Sequence, residues 1–108
     1  MTEVIAEIGW NHMGDMALAE AMVKAAFESG ATYAKFQTWS TKRLKDGEWD
    51  HDGRRQIYED AELSIDDHKF LINKCEEIGI KFLSSCFSVD DAKLLKNLGL
   101  LSIIFLAL

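Results

Sequence analysis

Apolar residues recur along the chain with two periods, and these periods predict alternating strands and helices. Short runs rich in β-branched and aromatic residues are typical of strands, whereas apolar residues three and four positions apart are typical of amphipathic helices. The predicted strands cover residues 4–9, 32–39, 80–86 and 100–108, and the predicted helices cover residues 15–29, 64–78 and 88–98. This alternation is typical of parallel strands joined by right-handed crossovers.

Capping residues support the predicted helix boundaries. Asp15 is placed to cap the first helix, and Ser64 with Asp67 has the pattern of a capping box at the start of the second. Ser88 is predicted to cap the third helix. A glycine follows each helix, at positions Gly30, Gly79 and Gly99.

A long polar excursion separates the second predicted strand from the second predicted helix. Residues 40–61 mix charges of both signs and contain glycine, which favours a loop. Within this excursion, the segment GEWDHDGRR surrounds Trp49 and is interpreted as a solvated loop or a lid. Trp10 and Trp39, each just after a strand, either line the mouth of a pocket or pack against neighbouring residues.

These elements predict an α/β fold that does not close on itself. A (β/α)8 TIM barrel needs roughly 250 residues, whereas this chain has 108 and about the first four strands and three helices of such a barrel. We therefore expect a partial (β/α)8 TIM barrel, with residues 1–108 as an N-terminal fragment. A compact flavodoxin-like sheet is the alternative interpretation.

Composition and charge exclude several classes of protein. The 12 basic and 18 acidic residues give a net charge of −6, and 48% of the residues are hydrophobic, which excludes a disordered or collagen-like chain. An acidic chain without a basic face is not expected to bind nucleic acid. Cys75 and Cys86 are too few for a disulfide framework, so we expect reduced thiols, with Cys86 packed rather than nucleophilic.

The sequences at the two ends of the chain have neither the pattern of a signal peptide nor that of a membrane span, which predicts a cytoplasmic protein. The N-terminal segment has no positively charged stretch and no apolar run of signal-peptide length, so export is not expected. The apolar tail, residues 100–108, is shorter than the helix of roughly 20 residues that spans a bilayer. No membrane segment is therefore predicted, and the tail is interpreted as a buried strand.

Two charged residues lie inside otherwise apolar strands. Glu7 in the first strand and Lys35 in the second are costly in a buried parallel sheet unless they are paired or functional. One interpretation is a buried ion pair without catalytic meaning. The other is a site for an anionic substrate at the carboxyl ends of the strands. Gln37 shares the face of Lys35, because strand side chains alternate.

Polar residues in the strand-end segments are further candidates. Asn11 and His12 follow the first strand, and His12 is interpreted either as a proton carrier or metal ligand, or as an exposed loop histidine without a role. Ser85, near the end of the third strand, is placed to donate a hydrogen bond to a phosphate. The other histidines, His51 and His68, lack ligand spacing, so no metal site is predicted.

Five segments follow one another in a known order and spacing. They are IAEIGWNHMGD, ESGA, YAKFQTW, ELSIDDHKFL and EEIGIKFLSSCFS. Through them, residues 4–99 resemble the N-terminal part of the sialic acid (N-acetylneuraminate) synthase family. The resemblance implies an enzyme of surface carbohydrate biosynthesis that condenses phosphoenolpyruvate with N-acetylmannosamine or a related N-acylated amino sugar. It also implies a divalent manganese or magnesium ion and, in full-length members, a homodimer.

The resemblance implies roles for residues at matching positions. Glu7 matches an acidic residue beside the substrates, and Lys35 matches a lysine that contacts phosphoenolpyruvate, so both are implied as catalytic. Substrate-binding roles are implied for Asn11, His12, Gln37 and Ser85. Ser85 stands where the family has a threonine, and it keeps a hydroxyl for the phosphate.

Departures from the family imply an inactive fragment. Cys86 replaces a proline, and after Gly99 the tail LLSIIFLAL replaces a strand that bears a second phosphoenolpyruvate-contacting lysine. The family's metal-binding histidines and its antifreeze-like domain belong to later parts of the sequence, so the ligands of the metal are not expected in this chain. We hypothesise a truncated or frame-shifted reading frame.

Two other hypotheses stay open. The chain could be a non-catalytic α/β module that binds a small phosphorylated ligand or complements a separately encoded remainder of the barrel. It could also be an unrelated aldolase or isomerase that uses Lys35 as a Schiff base. The second hypothesis is disfavoured, because Lys35 is expected beside Glu7 rather than in an apolar pocket.

Overall fold

Four parallel strands form one sheet. They are β1 (Ile5–Gly9), β2 (Tyr33–Thr38), β3 (Lys81–Cys86) and β4 (Ile104–Phe105), and they lie side by side in the order β1-β2-β3-β4. The structure is a computed structural model that describes residues 2–100 and 104–105. The predicted parallel sheet is confirmed. The flavodoxin-like alternative is wrong, since that fold places its first strand between the second and the third.

The short strand β4 pairs with the carboxyl end of β3. Ile104 lies opposite Ser85, and Phe105 lies opposite Cys86. The strand predicted in the apolar tail is therefore present at these two positions, whereas residues 101–103 and 106–108 lie outside the described residues. Because β4 pairs on one side and β2 on the other, β3 is an inner strand of the sheet.

In the described part of the chain, four α-helices connect the strands, one after β1, two after β2 and one after β3. They are α1 (Met16–Glu28), α2 (Arg54–Ala61), α3 (Ile65–Ile78) and α4 (Val89–Asn97). The predicted caps are confirmed: the Asp15 side chain accepts two backbone hydrogen bonds at the start of α1, and Ser64 and Asp67 form a complete capping box at the start of α3. Among the described residues, no helix combines the length and the apolar character needed to cross a membrane.

Helix α2 corrects the prediction of a loop over residues 40–61 and of three helices. Two short 3-10 turns precede it, at Thr41–Arg43 and Glu48–Asp50. The α2 sequence is mostly polar and only eight residues long, so it offers few apolar positions from which a helix can be predicted. Charge pairing one turn apart supports it instead, with Arg55 Nη1 3.2 Å from Glu59 Oε1.

The two faces of the sheet differ in their coverage. Along β2, Ala34, Phe36 and Thr38 are buried, whereas Lys35 and Gln37 between them are partly exposed. The core on the buried face joins the strands to α1 and α3 and includes Ala19, Val23, Leu71 and Cys75. Helices α1 and α3 therefore cover one face, and Lys35 and Gln37 lie on the other, which we call the open face.

Candidate functional site

Glu7 and Lys35 form an ion pair on the open face. The two residues are direct neighbours in the register of β1 and β2, and Lys35 Nζ lies 2.5 Å from Glu7 Oε1. The side chain of Lys35 is 13% exposed, and that of Glu7 is 51% exposed. The interpretation as a buried pair is therefore wrong for Glu7, because β1 is an end strand of the described sheet and leaves this carboxylate in contact with solvent.

Gln37 and Ser85 lie beyond this pair on the same face. Gln37 follows Lys35 by one strand repeat in β2, and its register partner in β3 is Ser85. Ser85 is fully buried, and its hydroxyl has no hydrogen-bond partner among the described residues. A buried hydroxyl without a partner is costly. Ser85 is therefore a candidate donor for a group that reaches this end of the sheet.

Gly9 turns the chain away from the open face. The register of β1 on β2 shifts between Glu7 and Gly9, and Gly9 has a φ of +60°. Glycine adopts this backbone conformation without the steric cost that a side chain would add. The loop that carries Asn11 and His12 consequently leaves the strand at Gly9.

The loop after β1 places Asn11 at the surface and His12 in the core. Asn11 is exposed, and its Nδ2 donates a hydrogen bond to Ile8 O at 2.8 Å. His12 is fully buried, and its ring centre lies 6.0 Å from that of Phe36, which belongs to the helix-covered face. The interpretation of His12 as an exposed loop histidine is therefore wrong, because the loop folds back over the core.

The hydrogen bonds of His12 define its protonation. Its Nδ1 accepts a hydrogen bond from Gly14 N at 2.9 Å, which places the proton of the neutral ring on Nε2. Burial lowers the pKa of His12, and the Asp67 carboxylate opposes this effect. Nε2 has no hydrogen-bond partner among the described residues. Because a protonated ring nitrogen does not coordinate a metal, this geometry does not favour His12 as a metal ligand.

A buried polar group that the sequence analysis does not single out joins β2, β3 and α3. His68 Nε2 lies 2.8 Å from Thr38 Oγ1, and Thr38 Oγ1 lies 2.7 Å from Ser84 Oγ. All three side chains are buried. His68 shares the apolar stripe of α3 with Leu71 and Cys75, and that spacing is the signal in the sequence for its burial.

A cleft of about 700 Å³ opens at the carboxyl ends of β1, β2 and β3. We call it the aromatic cleft, because its walls include Trp10, Trp39, Trp49, Tyr58 and Phe87. Gln37 also lines it, so the cleft adjoins the site around Lys35. Trp10 and Trp39 both line the cleft and also pack against Tyr58. The interpretation that they line a pocket and the interpretation that they pack against neighbouring residues are therefore both confirmed.

Residues 2–100 and 104–105 do not form a metal centre. Within these ranges, no group of three or more His, Cys, Asp or Glu side chains is arranged to hold a metal ion. The cysteines are buried free thiols. Burial raises the pKa of Cys75 to about 12, and burial together with the Asp91 carboxylate raises the pKa of Cys86. Cys86 is fully buried, so the interpretation of Cys86 as a packed thiol is confirmed.

Known proteins resemble the chain in sequence. The sequence profile of the NeuB family matches residues 22–103. The chain is 35% identical to N,N'-diacetyllegionaminic acid synthase of Campylobacter jejuni, over 92% of this chain and 33% of that protein. It is 36% identical to N-acetylneuraminate-9-phosphate synthase of Mus musculus, over 76% of this chain and 26% of that protein. The chain thus spans about a third of the length of the curated relatives it matches.

A solved structure resembles the chain in fold. The crystal structure of N-acetylneuraminic acid (sialic acid) synthetase from Leptospira borgpetersenii superposes with a TM-score of 0.78 at 26% identity. The match covers 93% of this chain and 34% of that protein. The resemblance to sialic acid synthases is confirmed, and the chain belongs to the NeuB family, whose curated relatives include synthases of sugar acids.

Proposed function

We propose that the chain forms the first half of the (β/α)8 barrel of a sugar acid synthase that condenses phosphoenolpyruvate with an N-acylated amino sugar. Membership of the NeuB family supports the reaction class. The consecutive order of the four parallel strands supports a barrel wall. The coverage of one face by α1 and α3 supports it as well, because a barrel keeps its helices outside.

The ion pair between Glu7 and Lys35 carries this proposal. It lies on the open face, which would line the interior of the barrel, and Gln37 and Ser85 follow it toward the carboxyl ends of β2 and β3. Active sites of barrel enzymes form at this end. Because Lys35 is only 13% exposed, its charge acts on an incoming anion with less screening than that of a surface lysine.

Each residue of this group has a role in the proposed site. The Lys35 ammonium donates to a carboxylate or phosphate oxygen of phosphoenolpyruvate while it keeps its contact with Glu7. The Gln37 amide and the Ser85 hydroxyl are neutral donors for the same substrate. The half-exposed carboxylate of Glu7 is placed to accept a hydrogen bond from a hydroxyl group of the sugar.

The proposed reaction forms one carbon–carbon bond and releases phosphate. C3 of phosphoenolpyruvate bonds to the aldehyde carbon of the open-chain sugar, whose oxygen takes up a proton. Water then adds at C2 and phosphate leaves. Lys35 offsets the negative charge of the phosphate as it leaves. The manganese or magnesium ion that the resemblance implies has no set of ligands among the described residues, so we assign no step to it.

We expect the binding of phosphoenolpyruvate, measured by isothermal titration calorimetry, to depend on Lys35. Lys35→Ala weakens binding by about tenfold or more, because it removes the cation from a partly buried charge contact. Lys81→Ala is the matched control, since Lys81 begins β3 at the opposite end of the sheet, 5.5 Å from the ring centre of Tyr33. An equal loss in both variants, or no loss in Lys35→Ala, would contradict the proposal.

Phosphate release from the same samples tests whether this chain completes the active site. The assay contains phosphoenolpyruvate, N-acetylmannosamine and Mn²⁺. We expect binding without sugar-dependent phosphate release, since the described residues supply no metal centre. Sugar-dependent release that is lost in both Glu7→Gln and Lys35→Ala would overturn this expectation and would assign full catalysis to the chain.

A further inference from the structure

All three tryptophans of the chain, Trp10, Trp39 and Trp49, line the aromatic cleft. Tyr58 lies among them, with its ring centre 6.4 Å from that of Trp10, 6.0 Å from that of Trp39 and 5.6 Å from that of Trp49. The core between the sheet and the helices is built from other residues. This concentration of aromatic rings therefore shapes the cleft rather than the main core.

Hydrogen bonds fix two of these rings in the wall of the cleft. Trp39 Nε1 donates to Tyr58 O at 3.0 Å, and Trp49 Nε1 donates to Lys45 O at 2.7 Å. The guanidinium of Arg55 lies 5.2 Å from the ring centre of Trp49 and adds a cation–π contact. Trp39 is only 5% exposed and supports the wall from behind. The apolar surface that suits the C–H face of a sugar ring comes from the partly exposed rings of Trp10, Trp49 and Tyr58.

Positive charge lines the cleft, although the whole chain has a net charge of −6. Arg43, Lys45 and Arg54 contribute cations, and Glu48 contributes a carboxylate. Arg43 and Arg54 each form an ion pair with an aspartate. Lys45 is exposed and has no carboxylate within ion-pair distance among the described residues. Its charge is therefore available to an anionic group of a ligand.

The cleft connects with the site around Lys35 through Gln37, which lines the cleft and neighbours Lys35 along β2. A ligand in the cleft can thus reach the place where phosphoenolpyruvate is proposed to bind. Phosphoenolpyruvate has no ring and gains little from aromatic walls. The walls therefore suit the second substrate.

We infer that the aromatic cleft binds the ring of the sugar substrate and, through Lys45, selects a sugar that carries an anionic group such as a phosphate. This inference rests on the proposed function and specifies its sugar. The name N-acetylneuraminate-9-phosphate synthase denotes a phosphorylated product, whereas the name N,N'-diacetyllegionaminic acid synthase does not. The names of the relatives therefore do not decide whether the sugar carries a phosphate.

Tryptophan fluorescence tests the inference directly, because every tryptophan of the chain lies in this cleft. The chain is titrated with N-acetylmannosamine 6-phosphate, N-acetylmannosamine and inorganic phosphate. We expect the sugar phosphate to change the emission with an apparent Kd about tenfold lower than that of the neutral sugar, since one charge contact is gained. Inorganic phosphate alone leaves the emission unchanged.

Variants at one position assign the selectivity to Lys45. Lys45→Gln removes the cation, so we expect the sugar phosphate to lose most of its advantage over the neutral sugar. Lys42→Gln is the matched control, since Lys42 is an exposed lysine nearby that does not line the cleft, and it retains the preference. Equal affinity of the chain for both sugars, or an unchanged preference in Lys45→Gln, overturns the inference.

The binding of phosphoenolpyruvate separates failure of this inference from failure of the proposed function. Normal phosphoenolpyruvate binding, without any change in emission on addition of either sugar, overturns the inference and leaves the proposed function standing. A selective response to the sugar phosphate in a chain whose phosphoenolpyruvate binding does not depend on Lys35 overturns the proposed phosphoenolpyruvate site. In that case the cleft is retained as a sugar site only.

Discussion

Thr38 Oγ1 and His68 Nε2 lie 2.8 Å apart across the interface between the sheet and α3. The other ring nitrogen, Nδ1, lies 2.7 Å from the carbonyl oxygen of Ser64 and must donate to it. In the neutral ring, Nε2 then accepts the Thr38 hydroxyl proton. Ser84 Oγ lies 2.7 Å from Thr38 Oγ1 and 3.0 Å from Ser85 O, so its single proton has two acceptors within reach. These contacts tie β2, β3 and the start of α3 together.

The buried histidines predict a loss of stability at mildly acidic pH. Burial lowers the pKa of both His12 and His68. Below about pH 6.5, the ordinary histidine pKa, the unfolded chain therefore binds more protons than the folded chain. We expect the free energy of unfolding, measured by urea titration, to be greatest above this pH and to fall as the pH decreases toward 5.

A substitution separates this effect from other titrations. His68→Gln is expected to flatten the dependence of stability on pH between 7 and 5. The neighbouring arginines lower the pKa values of Asp50 and Asp52, so these carboxyl groups take up protons at a pH below this range. Stability that rises on acidification, or an unchanged slope in His68→Gln, would contradict the assignment.

Gly14 is predicted to be a sensitive position in the loop after β1. Its φ is +85°, and a Cβ at this position would overlap the carbonyl oxygen of Asp60 in α2. We expect Gly14→Ala to reduce the free energy of unfolding by about 3 kcal/mol, because strain and overlap add.

Gly30 provides the matched control for Gly14. Its φ is +89°, but no atom lies within 4 Å of its ideal Cβ. Gly30→Ala therefore tests strain without overlap, and we expect a loss of about 1 kcal/mol. Equal losses in the two variants, measured by urea unfolding, would show that the contact between Gly14 and α2 does not contribute.

The capping box of α3 is expected to contribute measurably to stability. The Asp67 amide donates to Ser64 Oγ at 2.9 Å, and the Ser64 amide donates to Asp67 Oδ2 at 3.0 Å. Ser64→Ala should cost about 1 kcal/mol in thermal or urea unfolding. Ser29 is an exposed residue at the carboxyl end of a different helix, α1, and Ser29→Ala should cost less than about 0.5 kcal/mol. A larger loss in Ser29→Ala would contradict this ranking.

Local signals in the sequence predict most of the elements that carry the site. The caps at Asp15, Ser64 and Ser88 depend on contacts within one helical turn, so a short stretch of sequence contains the whole interaction. The juxtaposition of Glu7 and Lys35 follows from the predicted parallel sheet, because neighbouring parallel strands in consecutive order bring these two positions side by side.

Other features depend on contacts between distant segments. The burial of His12 depends on a loop that folds back toward Phe36, and the hydrogen-bond partner of His68, Thr38, lies in another element. The polar sequence of α2 hides its helical character, although Ala61 at its end is fully buried. The aromatic cleft draws its rings from five separate segments. The sequence indicates a pocket mouth at Trp10 and Trp39 but does not predict that Trp49, Tyr58 and Phe87 join them.

The central claim is that phosphoenolpyruvate binds on the open face, at the carboxyl ends of the strands, against Lys35. Two-dimensional NMR of the ¹⁵N-labelled chain during titration with phosphoenolpyruvate tests this location most directly. We predict saturable shifts that centre on Lys35, Gln37 and Ser85 and leave Lys81, at the opposite end of β3, unchanged. Shifts that centre elsewhere, or the same shifts in Lys35→Ala, would contradict the account.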